Sequence, residues 1–169
     1  MLLRKILRGL LYIGPPVLWM GGLFAASTQL GEYHVTFRFV QDSVQWLAPG
    51  TPRIDIDSMY GINIAVRKLA HVIGYGFLTV LLVRAIQYGQ ARLKPVSVFV
   101  ALLLSVLFAI GDALHRRRVP GRHGDSADVV LDAIGIGIFF GGTLLYFGLK
   151  ALERHLAQEP VPDTPNPQT

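Results

Sequence analysis

The sequence predicts an all-α polytopic membrane protein, a single bundle of four transmembrane helices with a short interfacial helix in the first loop. Of the 169 residues, 51% are hydrophobic and 16% are charged, whereas charged residues make up about 25% of an ordinary soluble domain. Four windows carry no charged residue, at 9–31, 69–83, 95–111 and 133–149. Because a helix needs about 20 residues to cross a hydrocarbon core of about 30 Å, these windows predict four spans.

The first span covers 6–29 and also resembles a secretory signal peptide. Three cations precede its apolar run, and small residues follow it at 25–27. The run is longer than a usual signal core, and the pair Pro15-Pro16 interrupts it. We therefore expect this segment to remain in the protein as a transmembrane anchor.

The remaining elements follow from the alternation of polar and apolar stretches. A polar connection at 31–60 contains a weakly amphipathic piece, 39–47, that we expect to lie in the membrane interface. A second polar stretch, 115–127, carries the turn residues Pro120 and Gly121. The later spans are predicted at 59–87, 95–114 and 128–149.

The chain is predicted to be one membrane domain, 1–155, followed by a disordered tail, 156–169, because its last ten residues include four prolines. It has no cysteine, so neither a disulfide nor a thiolate site can form. The net charge of +5 indicates contact with anionic lipid rather than nucleic acid. We predict a multi-pass protein of the cell membrane with both termini in the cytoplasm, because three cations precede the first span, Arg4, Lys5 and Arg8.

The most polar part of the chain, 112–132, lies between two of its most apolar runs. It holds four arginines, two histidines and four aspartates. Polar groups of both signs are costly next to hydrocarbon unless they are paired or used. With cytoplasmic termini, these arginines lie on the outer face, against the positive-inside tendency. We therefore expect this stretch to form one wall of a functional site.

Antiparallel packing brings the start of the second span, the end of the third and the start of the fourth to one membrane face. Polar residues fall there at spacings of three, four or seven, which place them on common helix stripes. We expect them to converge into a site that binds an anionic ligand, formed by Lys68, His71, Tyr75, Asp112, His115, Arg122, Asp128 and Asp132. Within it, Asp132 is expected to pair with Lys68, with an arginine or with His71.

These motifs resemble those of the VanZ-like integral membrane proteins, over about 20–145. The resemblance rests on Ser27-x-Gln29, Arg67-Lys68-x-x-His71-x-x-x-Tyr75-x-x-Leu78, Asp112-x-x-His115, Val119-Pro120-Gly121-Arg122 and Asp128-Val-Val-Leu-Asp132-x-x-Gly135. Three positions depart from it: Ala113 stands where an acid is usual, Arg116 where glutamine is common, and Asp132 where asparagine is common. The resemblance implies a role in the cell envelope, since the family is associated with low-level resistance to glycopeptide antibiotics such as teicoplanin.

The residues leave three functions open. In the first, Arg122 and Lys68 hold the anionic headgroup of a membrane lipid or of a lipid-linked cell-wall precursor, which alters envelope properties or antibiotic susceptibility. The second is a membrane-embedded hydrolase or transferase acting on a phospholipid or polyprenyl phosphate. Its catalytic candidates are His71, His115, Asp112 and Asp132. In the third, the polar residues form an ion-pair clamp that fixes the bundle.

We predict neither a metal ion nor a cofactor. Carboxylates and imidazoles suit Mg²⁺, Mn²⁺ or Zn²⁺, but their spacing here matches no metal motif, and four nearby arginines would repel a cation. The arginines at 116–118 can bind anionic headgroups specifically, or lie against anionic lipid without specificity. The sequence predicts no particular oligomeric state.

Overall fold

The computed structural model describes residues 2–28, 33–50, 56–88, 90, 93–119 and 126–157. This part of the chain is helical, with turns and no strand. Its five helices are α1 (Leu2–Ala26), α2 (Tyr33–Leu47), α3 (Ile56–Gln87), α4 (Pro95–Arg116) and α5 (Ser126–Leu156). Four of them, all except α2, are long and apolar enough to cross a membrane. The predicted four-span bundle is therefore confirmed.

The helices are longer than predicted where the sequence turns polar. The helix α2 begins at Tyr33, so the amphipathic piece expected at 39–47 is its second half. The helix α4 continues through Arg116, so the polar stretch expected from 115 begins two residues later. The helix α5 continues to Leu156, and most of the predicted tail, 158–169, lies outside the described residues.

The helix α3 is the centre of the bundle, because it packs against each of the other four helices. Its buried side chains form the core with two small residues of α4 and one residue of α5, namely Tyr75, Leu78, Leu82, Val83, Ala101, Ala109 and Ile136. The outward faces of the spans carry large exposed apolar residues, such as Leu18, Val96 and Leu145. In a bilayer these side chains contact hydrocarbon, which agrees with four spans.

Two glycines allow α3 and α5 to cross closely. A Cβ added at Gly135 would lie 2.1 Å from the backbone oxygen of Val72, and one added at Gly76 would lie 2.3 Å from the ring of Phe139. Small residues permit such an approach between membrane helices. By contrast, a Cβ at Gly137 would meet nothing within 4 Å. This crossing brings the polar first turns of α5 against the polar stripe of α3.

The helix α1 is tied to α3 by two hydrogen bonds at opposite ends. The indole nitrogen of Trp19 donates to the backbone oxygen of Gly74 at 2.9 Å. Arg84 donates through Nη1 to the backbone oxygen of Leu11 at 3.1 Å. That oxygen lies four residues before Pro15, which has no N–H to donate to it, so Arg84 replaces the bond that the proline removes. Whether α1 is retained as an anchor stays a prediction.

Candidate functional site

The candidate site is a set of polar side chains at the membrane face where α1 and α4 end and α5 begins. We call it the buried cluster, and it consists of Ser27, His71, Tyr75, Asp112, Arg116 and Asp132. Ser27 follows α1 directly, whereas His71 and Tyr75 lie one turn apart on α3. Asp112 and Arg116 lie one turn apart on α4, and Asp132 lies in the second turn of α5. Four membrane helices therefore meet through these side chains.

One carboxylate oxygen of Asp112 accepts two hydrogen bonds and also forms an ion pair. The hydroxyl of Ser27 donates to its Oδ2 at 2.6 Å, and the phenol of Tyr75 donates to the same atom. The Nη1 atom of Arg116 lies 3.1 Å from it. Donors of this kind compensate a buried carboxylate for the water it has lost. The other oxygen, Oδ1, is buried without a hydrogen-bond partner among the described residues.

Arg116 bridges the two buried carboxylates. Its Nη1 contacts Asp112, four residues earlier on the same helix, and its Nη2 lies 3.1 Å from Oδ2 of Asp132 on α5. The Arg116 side chain is only 3% exposed, and both aspartate side chains are 0% exposed. The planar guanidinium is suited to this role because it directs several N–H groups at fixed angles. Arg116 thus joins α4 to α5 without water between them.

His71 completes the cluster from α3. Its Nδ1 lies 2.7 Å from Oδ1 of Asp132, and its Nε2 lies 3.8 Å from Oδ2 of Asp128. A neutral imidazole can donate through only one nitrogen, whereas an imidazolium donates through both. The Nη1 atom of Arg116 also lies 3.3 Å from Nδ1 of His71. We interpret this contact as packing rather than a hydrogen bond, because an Nδ1 that donates to Asp132 cannot also accept.

Ionisable side chains are packed closely together in the buried cluster. Two carboxylates contact a single guanidinium. His71 contacts Asp132 and Asp128, one through each ring nitrogen. Burying ions costs several kcal/mol each, and only close pairing and additional hydrogen bonds repay it. The arrangement is accordingly compact and tightly paired.

The structure brings five of the eight predicted site residues together: His71, Tyr75, Asp112, Asp128 and Asp132. The expected pairing of Asp132 with an arginine and with His71 is confirmed. Lys68, which is predicted to share a helix stripe with His71 and Tyr75, has an exposed side chain. His115 also lies apart, with its ring stacked on Phe24 at 4.5 Å and its Nε2 buried without a described hydrogen-bond partner. Arg122 lies outside the described residues.

Two members of the buried cluster were not among the predicted site residues. Arg116 was expected to meet headgroups in a loop, but α4 continues far enough to turn it inward. The sequence does indicate the contact between Arg116 and Asp112, because Arg116 follows Asp112 by four residues, a spacing that favours an ion pair on a helix. Ser27 was noted only as part of a motif, and nothing in its spacing could indicate which helix it would meet.

Exposed cations surround the buried cluster at the membrane face. Lys68 lies one turn before His71 on α3, and Arg117 and Arg118 directly follow Arg116 at the end of α4. All three side chains are exposed. His71 and Arg116 are in contact, and each of these cations lies within three residues of one of them along the chain. We call them the cationic rim.

Comparison with protein families gives a match over most of the chain. A family model described as VanZ/LLP1 matches residues 13–148. The chain belongs to the VanZ family. The matched region of this VanZ-family protein includes every member of the buried cluster and of the cationic rim. Comparisons with curated proteins and with solved structures each returned no match.

Arg116 and Asp132, two of the positions at which the sequence departs from the VanZ-like motifs, are partners in the structure. They form an ion pair of 3.1 Å, from Nη2 to Oδ2.

Proposed function

We propose that this VanZ-family protein binds the anionic headgroup of a membrane lipid, or of a lipid-linked cell-wall precursor, through its cationic rim. Binding would alter envelope properties or susceptibility to teicoplanin-type antibiotics. The observation that carries the proposal is the exposure of Lys68, Arg117 and Arg118 around a rigid, closely paired cluster. The proposal assigns the anion to these three residues rather than to the cluster itself.

The division of roles follows from burial. The guanidinium of Arg116 is occupied by two aspartates and is closed to a ligand. Arg117 and Arg118, in contrast, are exposed, and arginine can contact a phosphate through two parallel N–H groups. Lys68 adds a compact charge from the neighbouring helix. The buried cluster would hold these cations in place because it fixes the ends of the helices that carry them.

The proposed orientation places the cationic rim on the outer face and both termini in the cytoplasm. The three cations in the first two turns of α1 support this orientation, because the first span usually decides topology. The positive-inside tendency explains cations on the cytoplasmic side of a membrane, but it does not explain cations on the outer face. A headgroup presented from outside, such as that of a cell-wall precursor, would be a suitable ligand.

The test removes the rim charges together, in the variant Lys68→Gln/Arg117→Gln/Arg118→Gln. Each cation near a lipid surface contributes about 1 kcal/mol, so we expect about a hundredfold weaker binding. Binding of phosphatidylglycerol and of a polyprenyl pyrophosphate would be measured by native mass spectrometry of the purified protein.

The matched control removes three cations at the opposite face, in the variant Arg8→Gln/Lys94→Gln/Lys150→Gln. It changes the net charge by the same amount, and those side chains are partly or fully exposed. Equal loss of binding in the two variants would mean that only the total charge matters. Unchanged binding in the rim variant would overturn the proposal.

One observation favours a second function, that of an ion-pair clamp. The charged groups of the buried cluster contact one another at 2.7–3.1 Å across α3, α4 and α5. Removal of one partner would then lower stability without a separate effect on headgroup binding. The enzymatic alternative also stays a prediction, and turnover of a phospholipid or polyprenyl phosphate, lost in His71→Ala or His115→Ala, would establish it.

A further inference from the structure

We propose that a groove between α3 and α5 binds one acyl chain of a membrane phospholipid, with Gln87 bonded to the lipid near its ester group. The groove lies along the last two turns of α3 and the middle of α5, towards the membrane face opposite the cationic rim. Its volume is about 550 Å³. This site is independent of the proposed headgroup site, and neither depends on the other.

The groove is apolar along its length and polar at one end. Aliphatic and aromatic side chains line most of it, chiefly Val80, Val83, Phe139, Tyr146 and Phe147. The polar end carries Arg84, Gln87 and Gln90. A phospholipid combines the same two parts, an apolar hydrocarbon chain and a polar end with ester and phosphate groups. The face of α5 that lines the groove is open at Gly142, where an added Cβ would meet nothing within 4 Å.

Gln87 is the residue that indicates a ligand. Its side chain is 3% exposed, and neither its amide nitrogen nor its amide oxygen has a hydrogen-bond partner among the described residues. A buried amide is normally paired, because it has given up its bonds to water. Gln87 is the last residue of α3, so it lies near the interface, where the ester groups of lipids are found. Its amide nitrogen can donate to an ester carbonyl there.

Arg84 explains why the occupant would be a phospholipid. Its guanidinium bonds the backbone of Leu11 through Nη1 alone, and the side chain is exposed. A guanidinium has five N–H donors, so others are available for a phosphate. The helix of a second copy of this protein could also enter the groove, but it would bring no anion to Arg84 unless an acidic side chain stood at that position. A phospholipid supplies the apolar chain, the acceptor and the anion together.

The experiment uses phosphatidylethanolamine with a photoreactive diazirine on one acyl chain, added to the full-length protein in lipid nanodiscs. After irradiation, adducts are mapped by peptide mass spectrometry. In the wild type we expect adducts to concentrate on the groove segment 138–147. In Gly142→Phe, which fills the groove, we expect those adducts to be lost. The control is Gly141→Phe, since Gly141 also has open space but does not line the groove.

A second variant tests the polar end of the site. Gln87→Leu removes the unpaired amide with little change of size, so the fold should persist. We expect the retained lipid to dissociate about two- to tenfold more readily, the net effect of one hydrogen bond. Two results would overturn the proposal: equal adducts in Gly142→Phe and Gly141→Phe, or groove adducts no denser than those on the exposed face of α4.

Discussion

Replacing Arg116 by glutamine tests whether charge pairing holds the four helices together. The change removes the one guanidinium that, among the described residues, contacts Asp112 and Asp132, whose side chains are fully buried. Asp112 keeps the donors of Ser27 and Tyr75, and Asp132 keeps His71. Breaking a buried ion pair from one side costs about 3–5 kcal/mol, because a charge is left without its partner. We expect Arg116→Gln to lower the free energy of unfolding by that amount.

The companion change, Asp132→Asn, should cost less. Arg116 then keeps Asp112, and the asparagine oxygen can still accept a hydrogen bond, so the main loss is one charge-assisted contact with Arg116, worth about 1.5–3 kcal/mol. In Arg116→Gln/Asp132→Asn the two neutral amides can bond each other where the ion pair stood. Contacting residues show coupling energies of about 0.5–3 kcal/mol. We therefore expect the double variant to be more stable than the sum of the two single changes would allow.

The assay is unfolding of the purified protein in mixed micelles, followed by tryptophan fluorescence. Trp19 is a suitable probe because it contacts Phe77 and bonds the backbone of α3. The matched control is Arg117→Gln, which makes the same change at the next, exposed residue and should cost within about 0.5 kcal/mol. If Arg116→Gln were no more costly than this control, or if the double variant showed no coupling, the reasoning would be refuted.

Two further predictions concern how the helices pack. Gly135→Ala should lower stability by about 1–3 kcal/mol, because its Cβ would meet the backbone of α3 at 2.1 Å. The control is Gly137→Ala, which should not lower stability because its Cβ would meet open space. Equal melting temperatures of the two variants would contradict the close crossing of α3 and α5. Arg84→Leu should cost about 1 kcal/mol, because the Leu11 carbonyl loses its donor. Arg154→Leu, which removes a bond within α5 only, is its control in the same melting assay, and an equal loss would contradict the role of Arg84 in holding α1.

The spans and the general position of the site were predictable because both depend on local properties of the chain. Hydropathy over about 20 residues decides whether a helix enters the membrane. Once four spans alternate in direction, their polar ends must meet at one face. Helical spacing then selects His71 and Tyr75 on one helix and Asp128 and Asp132 on another. These inferences need no knowledge of how the helices pack.

The choice of cation within the site was not predictable in this way. The sequence predicts Lys68, Arg116 and Arg122 at the same membrane face, and the Pro-Gly turn favours Arg122, which lies outside the described residues, as the inward-facing charge. The structure turns Arg116 inward and leaves Lys68 exposed. Which of two neighbouring cations faces the core depends on the rotation of each helix about its axis. That rotation follows from side-chain packing, which local spacing does not describe.

The amino-acid sequence was sufficient to establish a four-span membrane helix bundle with a polar site at one face, and its motifs were sufficient to indicate the VanZ family. Tertiary structure alone decided that Ser27 reaches Asp112 across 85 residues of chain and that Arg84 pairs with the carbonyl freed by Pro15. It also decided that Gln87 is buried without a described partner beside an apolar groove. The physical reason is that hydropathy and helical period act along the chain, whereas these contacts depend on how helices rotate and approach one another.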